Sequence, residues 1–243
     1  MNRTSEYDFT VVVPIYNESA NMEKLETAFR DYLAAASRPT CVLFVNDGSS
    51  DDSLQGIRTL CERVAHCYYI SFARNAGLSA AIKAGIDCVG SPLVGYIDAD
   101  LQTTPEDFEL LLPYTADFAL VTGVRANRKD TGFKRFQSRF ANGFRRMMTH
   151  DDATDTGCPP TVLHAVAARR IPFFKGMHRF LPALIRLQEG CDYKEIAVRH
   201  FPRTAGVSKF SMWNRLIGPL VDCFAYRWMK KRYINYTVAE RSL

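Results

Sequence analysis

The sequence predicts an α/β protein with a mostly parallel central sheet flanked by helices, and three features of the 243-residue chain carry that expectation. The first half alternates short apolar runs with stretches of helical periodicity, the pattern of a right-handed, doubly wound sheet. The runs are continuously apolar, as in strands covered on both faces. The first four runs then end in polar clusters, at the strand ends where open α/β sheets bind ligands.

In chain order, the expected strands are Phe9–Ile15, Thr40–Val45, Cys67–Phe72, Leu93–Ile97 and Phe118–Thr122. Between them Met22, Leu25, Phe29, Tyr32 and Leu33 recur at helical spacing. Leu54, Ile57, Leu60 and Val64 follow, then Leu78, Ala81, Ile82, Gly85, Ile86 and Val89. Thr104-Pro105-Glu106-Asp107 opens a further helix, with a cap, a proline at the first position and acids at the positive end of the dipole. From Arg125 to Arg146 the chain turns basic, with eight Lys or Arg against the single acid Asp130. A sixth strand is expected over Glu195–His200, followed by an aromatic, basic C-terminal region. The chain therefore divides into an α/β half (1–124) and a specialised second half (125–243) within one compact domain.

Composition narrows the class. Hydrophobic residues make up 47% and charged residues 23%, enough for a packed core and too apolar for disorder. A formal net charge of +5 does not by itself argue for nucleic acid, and no RNA- or DNA-binding motif is present, so no nucleic-acid partner is expected. The seven cysteines are scattered and form no CxxC pair, as expected of small core residues in a reducing compartment. The N-terminus lacks the apolar core of a signal peptide, and no run approaches the roughly 18 to 20 apolar residues of a spanning helix. The expected location is cytoplasmic and peripheral at the inner face of a membrane.

The polar clusters carry the chemistry. They are Pro14-Ile15-Tyr16-Asn17-Glu18, Asn46-Asp47-Gly48-Ser49, Arg74-Asn75-Ala76-Gly77 and Asp98-Ala99-Asp100-Leu101-Gln102. Any one of them is also a reasonable turn; four at one sheet edge form a site. Two carboxylates about 4 Å apart repel by roughly 4 kcal/mol at an effective dielectric near 20. A divalent cation relieves that repulsion, so Asp98, Asp100 and Gln102 are the expected oxygen ligands of Mg2+ or Mn2+ beside a diphosphate. There is no GxGxxG, GxxxxGK[ST] or GxSxG, which removes the dinucleotide, nucleoside-triphosphatase and serine-hydrolase readings.

The segments VVVPIYNE, VNDGSSDDS, ARNAGLSAAIKAGID and DADLQTTPED resemble, in order, the motifs of the family 2 glycosyltransferases. GVR at Gly123–Arg125, KRFQSRFAN at Lys134–Asn142, DTGC at Asp155–Cys158, HRFLP at His178–Pro182 and HFPRTAGVSKF at His200–Phe210 extend the likeness over roughly residues 9 to 225. The likeness is narrowest to the branch that includes dolichyl-phosphate mannosyltransferase and the undecaprenyl-phosphate sugar transferases. It implies the GT-A nucleotide-diphospho-sugar transferase fold, a nucleotide-diphosphate sugar donor and a polyprenyl phosphate acceptor, either undecaprenyl or dolichyl. Pro14, Tyr16, Glu18, Val45 and Asp47 would hold base and ribose, with Asp47 accepting from the base, and Arg74 and Ala99 fall in the same nucleotide-binding set. Asp98, Asp100, Arg125, Arg203 and Lys209 would be catalytic, the last three meeting phosphates. Lys134 and Ser138 resemble the acceptor-phosphate region, and Asp155 orients substrate or serves as a base. Departures from the family pattern are Asn46 in place of a first Asp, Thr103-Thr104 in place of an acidic–proline pair, and SKF in place of SKY.

A phosphate acceptor is already anionic at neutral pH, its second pKa being about 6, so direct displacement with inversion needs no essential base. Phe133, Phe136, Phe140, Phe144 and Met147 follow helical spacing, with Lys134, Arg135, Arg139, Arg145 and Arg146 on other faces. That segment reads either as an interfacial helix or as a core helix whose basic face alone binds. Arg227, Lys230, Lys231 and Arg232 beside Trp228 and Tyr233 form a second candidate contact with an anionic membrane surface, or a solvated charge run. Arg203 to Lys209 reads as a loop closing over donor phosphates. A separate membrane subunit is a further expected partner. Two other functions fit the same motifs: transfer to a saccharide hydroxyl, and a non-catalytic nucleotide-sugar or lipid-binding subunit.

Overall fold

A computed structural model describes residues 3–125, 143–155, 157–199, 201, 212–236 and 238–240, with backbone only for 212–217 and 219. Its centre is a seven-stranded sheet in the order β3-β2-β1-β4-β6-β5-β7. The strands are β1 (Phe9–Ile15), β2 (Thr40–Asn46), β3 (Cys67–Ser71), β4 (Leu93–Tyr96), β5 (Leu120–Arg125), β6 (Thr161–His164) and β7 (Tyr193–Val198). The helices are α1 (Met22–Ala35), α2 (Ser53–Arg63), α3 (Leu78–Cys88), α4 (Phe108–Leu111), α5 (residues 143–149), α6 (Ala165–Arg169), α7 (Leu181–Ile185) and α8 (Met212–Lys230). All strand pairs are parallel except those of β6, which runs antiparallel between β4 and β5.

Period-two alternation puts each central strand into two cores. Val11, Val13, Val42 and Phe44 face one layer with Leu25, Phe29, Ile57, Leu60 and Phe108, so α1, α2 and α4 cover that side. Val12, Leu43 and Val45 face the other with Ala81, Ile82, Ile86, Leu184 and Tyr226, so α3, α7 and α8 cover the opposite side. Each such fully buried side chain contributes roughly 1.5–3 kcal/mol. Gly85 lets α3 lie close on β1, because a Cβ there would overlap the Val12 side chain.

Three expectations are corrected. The strand over Thr161–His164 escapes the sequence reading, because four apolar-flanked residues running straight into a helix carry no period of their own. β5 begins two residues later than expected, and β7 spans Tyr193–Val198 in place of Glu195–His200. Arg145, assigned to a binding face, is buried and paired with Asp151 at 2.6 Å, and donates to the Ala153 carbonyl. That side chain ties α5 to the loop behind it. Phe144 packs toward the core while Met147 is exposed; the rest of the basic segment (126–142) lies outside the described residues.

The turn over Thr104–Asp107 opens the expected helix through a capping box between Thr104 and Asp107, and leads into α4. On the α3 side, Ser79 Oγ meets His178 Nδ1 at 2.7 Å and accepts from the Gly176 N–H at 3.0 Å. Burial and then the Arg179 charge lower the His178 pKa from 6.5 to about 4. The depressed value stabilises the fold above pH 6.5, and that contribution is lost as the pH falls toward 4. Its ceiling is about 3 kcal/mol. Urea titrations of the chain and of His178→Gln across this range should diverge only in the wild type's acid-side loss; parallel curves would dismiss the linkage.

Candidate active site

The strand order reverses between β1 and β4, since β2 and β3 lie on one side of β1 while β4 and later strands lie on the other. A crevice opens at such a switch point, beyond the carboxyl ends of the two strands. Pro14 sits where this happens. Even-numbered residues of β1 turn their backbone toward β4, as in the Ile97 N–H to Val12 carbonyl bond of 3.2 Å. β4 ends at Tyr96 opposite Val12, and Pro14, which has no N–H to give, cannot extend the ladder further.

The four rim loops share a backbone device. Asn17, Gly48, Gly77 and Leu101, one after each of the first four strands, have φ of 54°, 63°, 94° and 51°. Such residues reverse the chain within one position. A Cβ on Gly48 would fall on the Arg74 backbone, so the second and third loops touch at a place only glycine allows.

Polar side chains lock these loops together. The Asn17 N–H donates to Ser49 Oγ at 3.0 Å, the Glu18 N–H to Ser53 Oγ at 2.8 Å, and the Ser50 N–H to Asn17 Oδ1 at 2.8 Å. Asn46 uses both ends of its amide, donating to Ser71 Oγ at 2.9 Å and accepting from the Ser49 N–H at 3.2 Å.

Asp47 is the anchor of the group. Its buried carboxylate accepts from the Ala76 N–H at 2.7 Å, the Gly77 N–H at 2.9 Å and Asn75 Nδ2 at 2.8 Å. Asp47 spends its charge on the Arg74–Gly77 loop and shapes the crevice from behind, while Arg74 itself is exposed at its edge. Val45 is likewise a core residue with no exposed side chain, and Ala99 is buried. Tyr16 is exposed at the rim and Glu18, half-buried, accepts from Asn21 Nδ2 at 2.7 Å.

Asp98 and Asp100 follow β4 with only Ala99 between them, both half-buried. Asp100 Oδ1 accepts from the Gln102 N–H at 3.2 Å across the left-handed Leu101. Gln102 also reaches a distant segment. Its amide nitrogen faces the Phe201 carbonyl at 3.5 Å while its backbone carbonyl accepts from the Phe201 N–H at 2.8 Å, so Gln102 holds a distant segment against the loop. Among the described residues no cluster of three or more His, Cys, Asp or Glu surrounds a metal position. Two adjacent carboxylates still fit a hard divalent ion that takes its remaining ligands from phosphate and water.

Arg125 and Asp155 arrive from the two sides of the basic excursion and meet. Arg125 donates through Nε to Asp155 Oδ2 at 2.7 Å and through a terminal nitrogen to Oδ1 at 2.6 Å. A bidentate pair of this kind fixes the orientation of both side chains and engages both carboxylate oxygens. Two buried groups register the convergence. Burial pushes the Tyr96 phenol well above its ordinary value, with the Asp98 charge adding and Arg125 opposing. Burial likewise pushes the Cys158 thiol up to about 12, with Asp155 and Asp98 adding and Arg125 opposing. β6 makes this meeting possible. Being antiparallel, it starts opposite Tyr96 and Thr122, so the segment before it reaches the same rim as the Asp98 loop.

Glu195 was not singled out by the sequence. From β7 it accepts from the Thr154 N–H and Thr154 Oγ, each at 2.7 Å, and so fixes the residue before Asp155. No local pattern marks it, because its partner lies 41 residues away. Glu195→Ala should cost about 1–3 kcal/mol in chemical denaturation and lower turnover through a displaced Arg125, with Glu195→Gln in between. Wild-type turnover in both variants would remove Glu195 from the site. Lys134, Ser138, Arg203 and Lys209, expected to meet phosphates, lie outside the described residues.

An open cavity of about 410 Å³ lies elsewhere, lined by Asp8, Arg38, Leu93, Leu112, Thr115 and His164 at the amino ends of the parallel strands. It contains none of the rim carboxylates.

Residues 10–174 match the family model described as "Glycosyl transferase family 2". The chain belongs to this family. It is 31% identical over 221 residues to the undecaprenyl-phosphate 4-deoxy-4-formamido-L-arabinose transferase of Serratia proteamaculans, covering 88% of this chain and 67% of the relative. It is 30% identical over 210 residues to the dodecaprenyl-phosphate galacturonate synthase of Rhizobium johnstonii, covering 84% of this chain and 62% of that one. The chain thus spans roughly two thirds of these curated relatives, which by name are polyprenyl-phosphate sugar transferases. Among solved structures it resembles Mycobacterium tuberculosis glucosyl-3-phosphoglycerate synthase bound to Mn2+, UDP and glucosyl-3-phosphoglycerate, with a TM-score of 0.66, 13% identity, and 93% of this chain and 81% of that one covered. A mannosyltransferase from Pyrobaculum calidifontis in complex with GDP-Man and Mn2+ gives a TM-score of 0.65 at 18% identity, covering 90% of this chain and 63% of that one. The family 2 chain therefore has the GT-A fold expected of a glycosyltransferase.

Proposed function

We propose that this family 2 glycosyltransferase moves a sugar from a nucleotide-diphosphate sugar to a polyprenyl phosphate, with inversion and without a general base. The observation that carries the reading is the Arg125–Asp155 pair. The rim carboxylate best suited to deprotonate an acceptor is engaged by a guanidinium through both oxygens. A saccharide hydroxyl needs such a base; a phosphate monoester arrives ionised. The names of the curated relatives point to the same acceptor class.

In this reading residues 1–124 form the donor half and 125–243 the acceptor half. Tyr16 and Arg74 border the nucleotide, and the Asp47-anchored loop sets the floor of the crevice. Asp98 and Asp100 hold Mg2+ or Mn2+, which when bound stabilises charge on the departing diphosphate. Asp155 holds Arg125 at the same rim, where the guanidinium charge serves a phosphate. Lys134, Ser138, Arg203 and Lys209 complete the phosphate contacts. Hexosyl and N-acetylhexosaminyl donors are one class to test; formamido-arabinosyl and galacturonosyl donors, named by the relatives, are another. The protein works peripherally at the inner face of the membrane, alone or on a separate membrane subunit.

The test is a panel of nucleotide sugars with Mg2+ or Mn2+ against a short-chain polyprenyl phosphate in detergent, with the glycolipid read by mass. Transfer to the lipid phosphate and not to soluble saccharides is the expected result. Transfer only to saccharide hydroxyls would replace the proposal with the polysaccharide reading, and donor binding without turnover would leave a non-catalytic subunit.

A further inference from the structure

α8 carries an apolar face that nothing among the described residues covers. Its inner side is fixed: Cys223, Tyr226 and Met229 are buried in the core, and the Tyr226 hydroxyl donates to the Ala183 carbonyl at 3.2 Å. Its outer side presents Val221, Phe224 and Trp228 at helical spacing, 60%, 62% and 64% exposed. Three such side chains in one stripe exceed the scattered exposure of an ordinary surface. The patch continues onto α5. Phe144 packs beside Phe224 with ring centroids 6.4 Å apart, and Met147, one turn on along α5, is 59% exposed.

Charge says what the patch is for. Arg227, Lys230, Lys231 and Arg232 are all exposed around the carboxyl end of the stripe, and the Arg232 guanidinium lies 5.3 Å from the Trp228 ring centroid. Between residues 218 and 236 the sequence holds one acid, Asp222. That carboxylate is half-buried and turned inward against Gly176, away from the stripe. A homodimer through this face would gather two sets of four cations in one interface, a net like-charge arrangement that disfavours it. An apolar stripe with an aromatic residue among cations and no outward acid complements an anionic lipid surface, where rings enter the headgroup layer and the cations meet phosphates. No described helix is long and apolar enough to cross a membrane, so the contact is one of lying on the surface.

We infer that the Val221–Phe224–Trp228 face of α8, extended by Met147, seats the protein on an anionic bilayer with the helix parallel to its surface. This deepens the lipid-acceptor reading, on which it rests for the purpose of the contact, but its test is separate.

The full chain is sedimented with phosphatidylcholine vesicles, with and without phosphatidylglycerol. It should bind the anionic vesicles, more weakly as salt rises, with a blue-shifted tryptophan emission that Trp228→Ser removes. Val221→Ser/Phe224→Ser/Trp228→Ser should weaken vesicle binding by about tenfold or more, while transfer to a detergent-dissolved short-chain acceptor stays at the wild-type rate. Lys230→Glu/Lys231→Glu/Arg232→Glu should lose the preference for anionic lipid. Failure of the wild type to bind vesicles would overturn the inference. So would equal binding by the triple serine variant, or a solution dimer or acidic protein partner that buries this face. Vesicle binding with no transfer to the dissolved acceptor would sink the lipid-acceptor reading and leave the docking face standing.

Discussion

Asp100→Ala is expected to lower sugar transfer by about 10³-fold while changing stability by less than about 0.5 kcal/mol. Asp100 stands half-buried at the rim of β4 and accepts from the Gln102 N–H at 3.2 Å. Losing that bond weakens the turn slightly; losing a negative charge beside Asp98 relieves repulsion, and the two effects oppose. Activity has no such compensation if, as proposed, both carboxylates hold the ion that faces the diphosphate. Turnover at saturating donor and a denaturant titration separate the two. Asp100→Asn, which keeps an acceptor for Gln102 but not the charge, should be nearly as inactive. Normal turnover in both variants would dismiss the metal-binding role.

Asp47→Ala should damage both fold and donor binding. Three N–H groups point at this carboxylate, two of them backbone amides at the start of α3. Hydrogen bonds to a charged group contribute about 1.5–3 kcal/mol each, and the orphaned donors are partly relieved by water, so a loss of about 4 kcal/mol is expected. The Arg74–Gly77 loop would detach from β2 and the crevice would lose its floor, so donor affinity should fall as well. Asp47→Asn rescues little, because an amide has one acceptor oxygen and sets its own N–H groups against those of the loop. Unchanged stability with unchanged donor affinity would refute the anchoring role.

What could be read from the sequence was local. The run FTVVVPI is apolar without alternation because both faces of β1 are covered, and its ends are those expected. The rim clusters were legible for a related reason, since reversing the chain after a strand needs Asn, Gly or Asp within a few residues. Roles that depend on distant partners were not. Arg125 reads as a phosphate contact and Asp155 as an orienting residue or base, with nothing local to join them until the fold pairs residues 30 positions apart. Gln102 has the chemistry of a metal ligand, yet its amide meets Phe201, 99 residues on. Arg145 reads as one more cation in a basic run, and only the packing of α5 against Asp151 takes it out of solvent. A charge pattern states which groups are present; the fold decides which of them are spent on each other.

The reversed strand β6 has a consequence for how the chain is assembled. β5 is joined to the rest of the sheet through β6, for β4 and β5 are not neighbours. As the polypeptide is synthesised, β3, β2, β1 and β4 can zip together as soon as Tyr96 emerges, but β5 must wait until residues 161–164 supply the rung between them. A fragment cut after residue 124 would therefore leave β4 with a bare edge and β5 with nothing to pair to. The sheet of the first 124 residues depends for its closure on chain that comes later.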